Sequence, residues 1–456
     1  MSVCWKLSDF SGRNCPMNEI PKVTIGIPLR NGEDFIACTL ENIRLCDYPA
    51  DKLEVLIGNH DSTDKSLSII REYEKNIPLK TIHVPYSGPN RAYNRNQIIA
   101  QATGEIIIFI DADILISRNF IIEHVKIHRQ FDRAYVAGYT FGKNPITKKI
   151  INDSLCQRDI HSNYDRLHNN PHYRDYRVIS KNAEPVNGID ILNPEDNPWI
   201  LFWSCNISVR TEDIKQIGNF DENFTGWGLE DDELAYRCCF NQFTMIFSEK
   251  AWCFHMPHEI NSKRNYIEKQ VNLEYFSQKW RNRELEFFHY YGMPKEGQQK
   301  LNADLDLYPD RKTYQAIIEK ASVYLQDKPE SRLAFYLFDE KSAELLNLTH
   351  CCIPFHDWKT LPYKKGNCMF YSYLGIRTHF DKGSIEETIL LFDIILLIGN
   401  MHLTLLINEC LRISKKLTVI YGEFSKDKIY QPQIEKFFQI LNAVTGANDM
   451  EIKVYQ

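Results

Sequence analysis

Carboxylates give the first sign of chemistry in this chain. Asp111 and Asp113 flank one alanine at the end of the apolar run EIIIFI. An acidic pair at i and i+2, just past a buried strand, offers oxygens to a hard divalent cation. Mn2+ or Mg2+ bound to a diphosphate needs few protein carboxylates, because phosphate oxygens and waters complete the shell. The plain alternative for so short a motif is a solvated turn. A second cluster, Glu230 to Glu233, follows the turn Gly226-Trp227-Gly228. Like charges at adjacent positions persist on a solvated face, or where a cation or a proton transfer uses them. A helix start also favours acidic side chains through its dipole, which accounts for Glu230 and Glu233 without chemistry.

Such groups need a frame to bring them together. Over residues 22–116 the periodicity alternates: KVTIGIPL, KLEVLIGN, LKTIHVPY and GEIIIFIDAD read as strands. EDFIACTLENIRLC, DKSLSIIREYEKN and NRAYNRNQIIAQAT read as helices between them. Alternation at this pitch gives βαβ units and a parallel sheet, so the fold class is α/β. Ligands of such sheets sit beyond the carboxyl ends of the strands. The polar residues just past each strand are therefore the candidates: Arg30 and Asn31 after Pro28, Asn59 to Asp61, Asn90 and Arg91, Asp111 and Asp113. Residues 140–198 are polar with weak periodicity, a long excursion over one face, with Trp199 and Trp203 at its exit. WILFWSCNISVR then returns as a strand and TEDIKQIG as a short helix.

Four pieces in this order resemble a glycosyltransferase of the GT-A fold, of the large family 2 type. They are VTIGIPLRN, EVLIGNHDSTDKS, RNQIIAQATGEIIIFIDAD and CNISVRTEDIKQIGNFDENFTGWGLEDDELAYR. The last is similar to bacterial chondroitin-type polymerases and animal β-1,4-galactosyltransferases. The likeness covers about residues 20–260 and leaves the last third unexplained. It implies a metal-dependent transfer of a hexose or N-acetylhexosamine from a nucleotide-diphosphate sugar to an acceptor hydroxyl. Asp231 stands where the family has its catalytic base. A carboxylate within hydrogen-bond reach takes the hydroxyl proton as it attacks. Retaining relatives carry Asn there, so inversion is favoured. Asp232 and Glu230 are implied acceptor contacts. Trp227 suits stacking on a sugar face, its flanking glycines admitting backbone close to a ligand. Trp203 belongs to the acceptor cleft. His255 is the implied third metal ligand beside Asp111 and Asp113; His258, three residues on, reaches the same ion only if the backbone curls. Pro28, Arg30, Asn31, Asn59, Arg91, Arg95 and Asp111 are the implied donor contacts. Asn59-His60 replaces two acidic residues of the family pattern, so UDP leads as the donor nucleotide while other bases stay open.

Bulk composition bounds the rest. A chain of 456 residues has room for two domains. Breaks near YPDRKTYQ and QDKPES place a catalytic domain at 1–300, a linker at 301–330 and a smaller α/β domain at 331–456. A net charge of −6 gives no support to nucleic-acid binding. The N-terminus shows no apolar signal region, and thirteen cysteines without a CxxC read as reduced thiols of a cytoplasmic protein. The apolar run Thr388 to Ile407 carries Asp393, Asn400 and His402 and splits into a strand and a helix, not a membrane span. Peripheral membrane contact, a homo-oligomer, and a glycan, lipid-linked or protein acceptor are all compatible. His350, Cys351, Cys352 and His356 fit no standard zinc spacing, so buried thiols are the simpler reading. Two rivals are weighed. A nucleotidyltransferase would want a Gly-rich phosphate loop and a Lys near the first strand, which PLRNGEDF lacks. A silent binding module on a transferase scaffold would not need Asp111, Asp113, Asp231 and His255 together.

Overall fold

The computed structural model describes residues 20–142, 160–169, 173–175, 177, 183–186, 189–193, 197–258, 262–282, 284–286, 288, 311–337, 339–352, 362–371, 373, 375, 378–391, 395, 403–421, 434–435, 437–441 and 451–455. The chain divides into two compact units, Met1–Asn272 and Leu273–Gln456.

The first unit is built on a ten-stranded sheet among the described residues. Its strands are β1 (Val23–Leu29), β2 (Leu53–Asn59), β3 (Leu79–His83), β4 (Ile106–Ile110), β5 (Ile114–Ile116), β6 (Ala134–Phe141), β7 (Ala183–Val186), β8 (Ile189–Leu192), β9 (Asn206–Arg210) and β10 (Thr244–His255). Their order is β3-β2-β1-β4-β9-β6-β10-β8-β7, with β5 pairing β10. The first four run parallel, as the alternating pattern requires. Strand β4 is buried at all five positions, which is why IIIFI has no polar alternation. Strand β9 runs antiparallel to β4 and β6 and joins the two halves of the sheet.

Register does the positioning. Leu29 pairs with Asn59, so Arg30 and His60 leave the sheet side by side. Ile110 pairs with Asn206, which sets Asp111 beside the residues just before β9. His255 pairs with Ile114, one residue from Asp113. The helix Arg91–Gln101 lies directly on β1 and β2 because both offer glycine there. A Cβ on Gly58 would sit 1.8 Å from Asn94 Oδ1, and one on Gly26 would sit 2.9 Å from Ile98 Cγ2. Asn94 Nδ2 donates to the Gly58 carbonyl at 2.8 Å and locks that approach.

Part of the sequence reading needs correction. WILFWSCNISVR is a strand only from Asn206; Pro198–Leu201 is a 3-10 turn. Asn197 at φ 50° starts it, and Trp199 turns inward, fully buried edge-on against Tyr236. Trp199 therefore belongs to the core, not to a cleft. Much of the excursion over 140–198 lies outside the described residues; what is described includes the helix Tyr164–His168 and the β7–β8 hairpin.

The second unit holds a seven-stranded sheet of β11 (Arg332–Phe335), β12 (His350–Cys352), β13 (Tyr363–Lys365), β14 (Cys368–Tyr371), β15 (Ile385–Leu391), β16 (Ser414–Ile420) and β17 (Glu451–Tyr455). The order is β13-β14-β12-β11-β15-β16-β17, parallel except for β13 against β14. Residues 311–324, inside the expected linker, form a helix that buries Tyr314, Ile317, Ile318 and Ala321 in this unit's core. The run from Thr388 divides as expected, Thr388–Leu391 closing β15 and a helix covering Leu403–Ile413, while most of FDIILLIGN lies outside the described residues. Among the described residues no helix is long and apolar enough to cross a membrane. Cys351 and Cys352 are buried, and burial pushes both thiols up, away from the thiolate a metal needs. His356 lies outside the described residues.

Candidate active site

The acidic run begins a helix, Glu230–Phe240, with all four acids in its first turn. The turn leading into it is left-handed at three residues: Gly226 (φ 76°), Gly228 (φ 91°) and Leu229 (φ 75°). Two are glycines, which take this conformation freely; Leu229 is held there by full burial of its side chain. The turn is pinned from outside. Gly226 N donates to the Pro89 carbonyl at 2.7 Å, and Arg91 Nη1 donates to the Gly226 carbonyl at 3.3 Å. Asn272 Nδ2 donates to the carbonyls of Thr225 and Gly228. This leaves the Trp227 ring 37% exposed, an aromatic surface open to a ligand.

Asp231 is oriented by a residue that sequence reasoning missed. Ser204 donates to Asp231 Oδ2 twice, from its backbone N at 3.0 Å and from Oγ at 3.2 Å. Asp232 N donates to Oδ1 at 3.1 Å. A carboxylate gripped on both oxygens has a fixed direction, as a proton acceptor requires. Asp232 stays half-buried beside it. Trp203, just before Ser204, has one face covered by the Arg177 guanidinium, whose Cζ lies 4.5 Å from the ring centre.

Glu230 is placed differently from expectation. It is 5% exposed, and its Oε1 accepts from Arg95 Nη1 at 2.9 Å. Burial, then the charge of Asp231, pushes its carboxyl up, against the pull of Arg95 and Arg91. Arg95 is itself 1% exposed, which removes it from direct donor contact, and its Nη2 donates to Asp111 Oδ1 at 3.2 Å. Burial disfavours the Arg95 charge, but Glu230, Asp111 and Asp231 outweigh it and raise its pKa.

Past β4 the chain brings together Asp113, His255 and His258. Asp113 Oδ2 lies 3.5 Å from His255 Nε2 and 2.8 Å from His258 Nδ1. The ligand atoms of all three fall within 4.8 Å of one another. The backbone does curl: Met256 N donates to the Asp113 carbonyl at 2.9 Å where β10 ends, and His258 returns to the same carboxylate. One carboxylate and two imidazoles form a mixed oxygen and nitrogen donor set that can hold a divalent transition-metal ion such as Mn2+, so these residues fit a metal. Asp111 lies outside this group of three, with one oxygen on Arg95.

At the ends of β1 and β2, Arg30 Nη1 donates to the His60 carbonyl at 2.9 Å, and its Cζ sits 3.3 Å over the Tyr86 ring. Asn31, at φ 51°, accepts from Thr63 N. Asn59 is buried, and its Oδ1 accepts from Ser62 N at 3.2 Å, which commits that oxygen to the turn. Burial, then the charge of Arg30, lowers the His60 pKa below the ordinary imidazole value. Pro28 is half-buried on the last stretch of β1, and Arg91 is exposed.

Comparison with known proteins meets this geometry. Residues 24–183 match the family described as glycosyl transferase family 2, and residues 193–259 match the one described as the N-terminal domain of galactosyltransferase. The chain is 26% identical over 264 residues to a validoxylamine A glucosyltransferase of Streptomyces hygroscopicus subsp. limoneus, covering 58% of this chain and 57% of that protein. It is 23% identical over 275 residues to the chondroitin synthase of Pasteurella multocida, covering 58% of this chain but 28% of that one. Among solved structures, Staphylococcus aureus TarS 1–349 covers 67% of this chain and 80% of its own, at 16% identity and a TM-score of 0.42. The mannosyltransferase PcManGT of Pyrobaculum calidifontis, in complex with GDP-Man and Mn2+, covers 57% and 64% at 19% identity and a TM-score of 0.40. The chain thus spans about 60% of the length of the validoxylamine glucosyltransferases it matches. The first unit thus resembles glycosyltransferases over the segments matched. Its likeness is to family 2, and the segments that the two family models match end at residue 259, within the first unit.

Proposed function

We propose that the first unit transfers a sugar, with inversion, from a nucleotide-diphosphate sugar to an acceptor hydroxyl. One observation carries the reading: a single buried arginine touches Asp111, just past the end of β4, and Glu230, next to the candidate base. This supports placing the groups expected on the donor side and the acceptor side in one site. Asp231, directed by Ser204, takes the hydroxyl proton as the oxygen attacks the anomeric carbon from the face opposite the leaving group. Trp227 presents its ring to the acceptor sugar, and Asp232 stands within the same turn for a hydroxyl contact. Asp113, His255 and His258 would hold Mn2+ or Mg2+, which when bound supplies Lewis-acid neutralisation of the departing diphosphate. Arg30, Asn31 and the Asn59–His60 turn line the nucleotide end, with UDP as the leading candidate base. Surface polysaccharide or glycoconjugate synthesis is the matching physiological setting.

The test is a donor screen with purified protein, Mn2+ and a panel of nucleotide sugars, read as released nucleoside diphosphate. Release from one donor, lost with chelator and in Asp231→Asn, supports the proposal. An Asp231→Asn protein that transfers at the unmodified rate would sink it.

A further inference from the structure

We propose that Arg95 is a positioning residue that holds the donor and acceptor halves of this site in one geometry; the inference rests on the glycosyl-transfer reading above. The helix Arg91–Gln101 works as a splint for the segment that ends in Asp231. At its start, Asn90 forms a backbone bridge with Gly226 and donates from Nδ2 to the Glu222 carbonyl at 2.9 Å. Further along, Asn96 Oδ1 accepts from Phe220 N at 3.0 Å while its Nδ2 donates to the Phe220 carbonyl and to Glu222. Arg95, between these two, is the point where the splint also grips the chain just past the end of β4, through Asp111 Oδ1. Its guanidinium lies near the Phe220 ring, 5.4 Å from the centroid, and its Nε has no hydrogen-bond partner. A planar fork with two separate carboxylates fixes their spacing in a way that a point-charge ammonium does not. Burial removes Arg95 from the donor, so its influence runs through Asp111 and Glu230.

Three variants test this on the full chain: Arg95→Lys, Glu230→Gln and the double. Arg95→Lys keeps the charge and loses the fork; Glu230→Gln keeps an acceptor for Nη1 and loses the charge. With the donor found by the screen, Arg95→Lys is expected to lower kcat about 10- to 100-fold, the scale of an ångström-level misplacement, while donor KM stays within about twofold. The double variant is expected to be no worse than the poorer single one. Hydrogen exchange without substrate is expected to rise together at 110–113 and 226–233 in both single variants and stay unchanged in the helix Ile36–Arg44. A raised donor KM with kcat retained would make Arg95 a donor contact and overturn the proposal. Exchange that rises in only one of the two segments, or throughout the chain, would also overturn it. If Arg95→Lys does not fold, Glu230→Gln carries the same two readouts. If the unmodified protein transfers no sugar from any donor, the activity reading fails by itself, and the exchange pattern still decides the role of Arg95.

Discussion

Each unit buries an arginine against a glutamate, and the two pairs are built to opposite ends. Arg332, in the second unit, satisfies every nitrogen: Nε donates to Glu387 at 2.6 Å, Nη2 to Asp327 Oδ1 at 2.6 Å, and Nη1 to backbone carbonyls including that of Asp327. Glu387 also accepts from Thr418 and pairs with Lys416 at 2.7 Å. Burial disfavours its charge, but those partners prevail, and its carboxyl lies below the usual range. Glu230 has one cation in direct contact and an acid next door, and its carboxyl lies above the usual range. The Arg332 knot sits at the starts of β11, β15 and β16, away from the strand ends where α/β sheets bind ligands. The Arg95 pair stands beside Asp111, at such an end. The balanced knot suits a structural role, and the unbalanced pair suits the site proposed here.

The largest effect should come from the residue on the unbalanced side proposed as the base. Asp231→Asn is expected to cut transfer by on the order of 10²- to 10⁴-fold, the range of general-base contributions, with little change in the thermal midpoint. On the balanced side, Arg332→Met should leave activity aside and cost about 3–5 kcal/mol of stability in denaturant titrations, because Glu387 then stays buried with a broken knot. Equal losses for Arg332→Met and Arg95→Met in both assays would dissolve the comparison. His258→Ala should weaken Mn2+ binding about tenfold or more by calorimetry in the presence of UDP, against unchanged folding.

The subtlest contrast is the sign of the pH dependence. Glu387 has a depressed folded-state pKa, so its stabilisation is present above the ordinary value of 4.5 and is lost as pH falls through the folded value. Glu230 has a raised one: the folded state holds its proton longer, so stability declines as pH climbs from 4.5 toward the folded value. Glu387→Gln should therefore flatten the acid side of a stability-against-pH curve and Glu230→Gln the side above 4.5. Urea midpoints measured across both windows would show this, and the same slope change in both variants would contradict it.

Much of this frame was legible in the chain itself. Continuous apolar runs such as IIIFI announce buried parallel strands, and the polar residues just past them follow from topology. Asp111 and Asp113 follow that way, whereas His255 came from the family resemblance. Contacts between distant segments were not. Arg95 and Glu230 are 135 positions apart, and nothing local marks an arginine that will be buried against a glutamate. Ser204 looks like any serine before a strand until β9 is set against β4. Trp199 and Trp203 are four residues apart and equally aromatic; only Asn197's left-handed turn decides which goes inward. The helix 311–324 had a visible signal, apolar residues at 314, 317, 318 and 321, but the polar break before it masked the period.

The three left-handed residues ahead of Glu230 also bear on how this segment can change over evolutionary time. An α-helix advances about 100° per residue, so the phase of its first turn depends on the count of residues leading into it. One residue inserted between Gly226 and Glu230 and passed on to the helix would roll the carboxylate of Asp231 off Ser204 by that angle, and the buried Leu234 and Tyr236 with it. Point substitutions at Gly226 and Gly228 are constrained too, since a side chain there meets a positive φ, and a Cβ on Gly226 would lie 2.8 Å from Glu268. The turn is therefore bound in its length by the helix phase and in its composition by its two glycines.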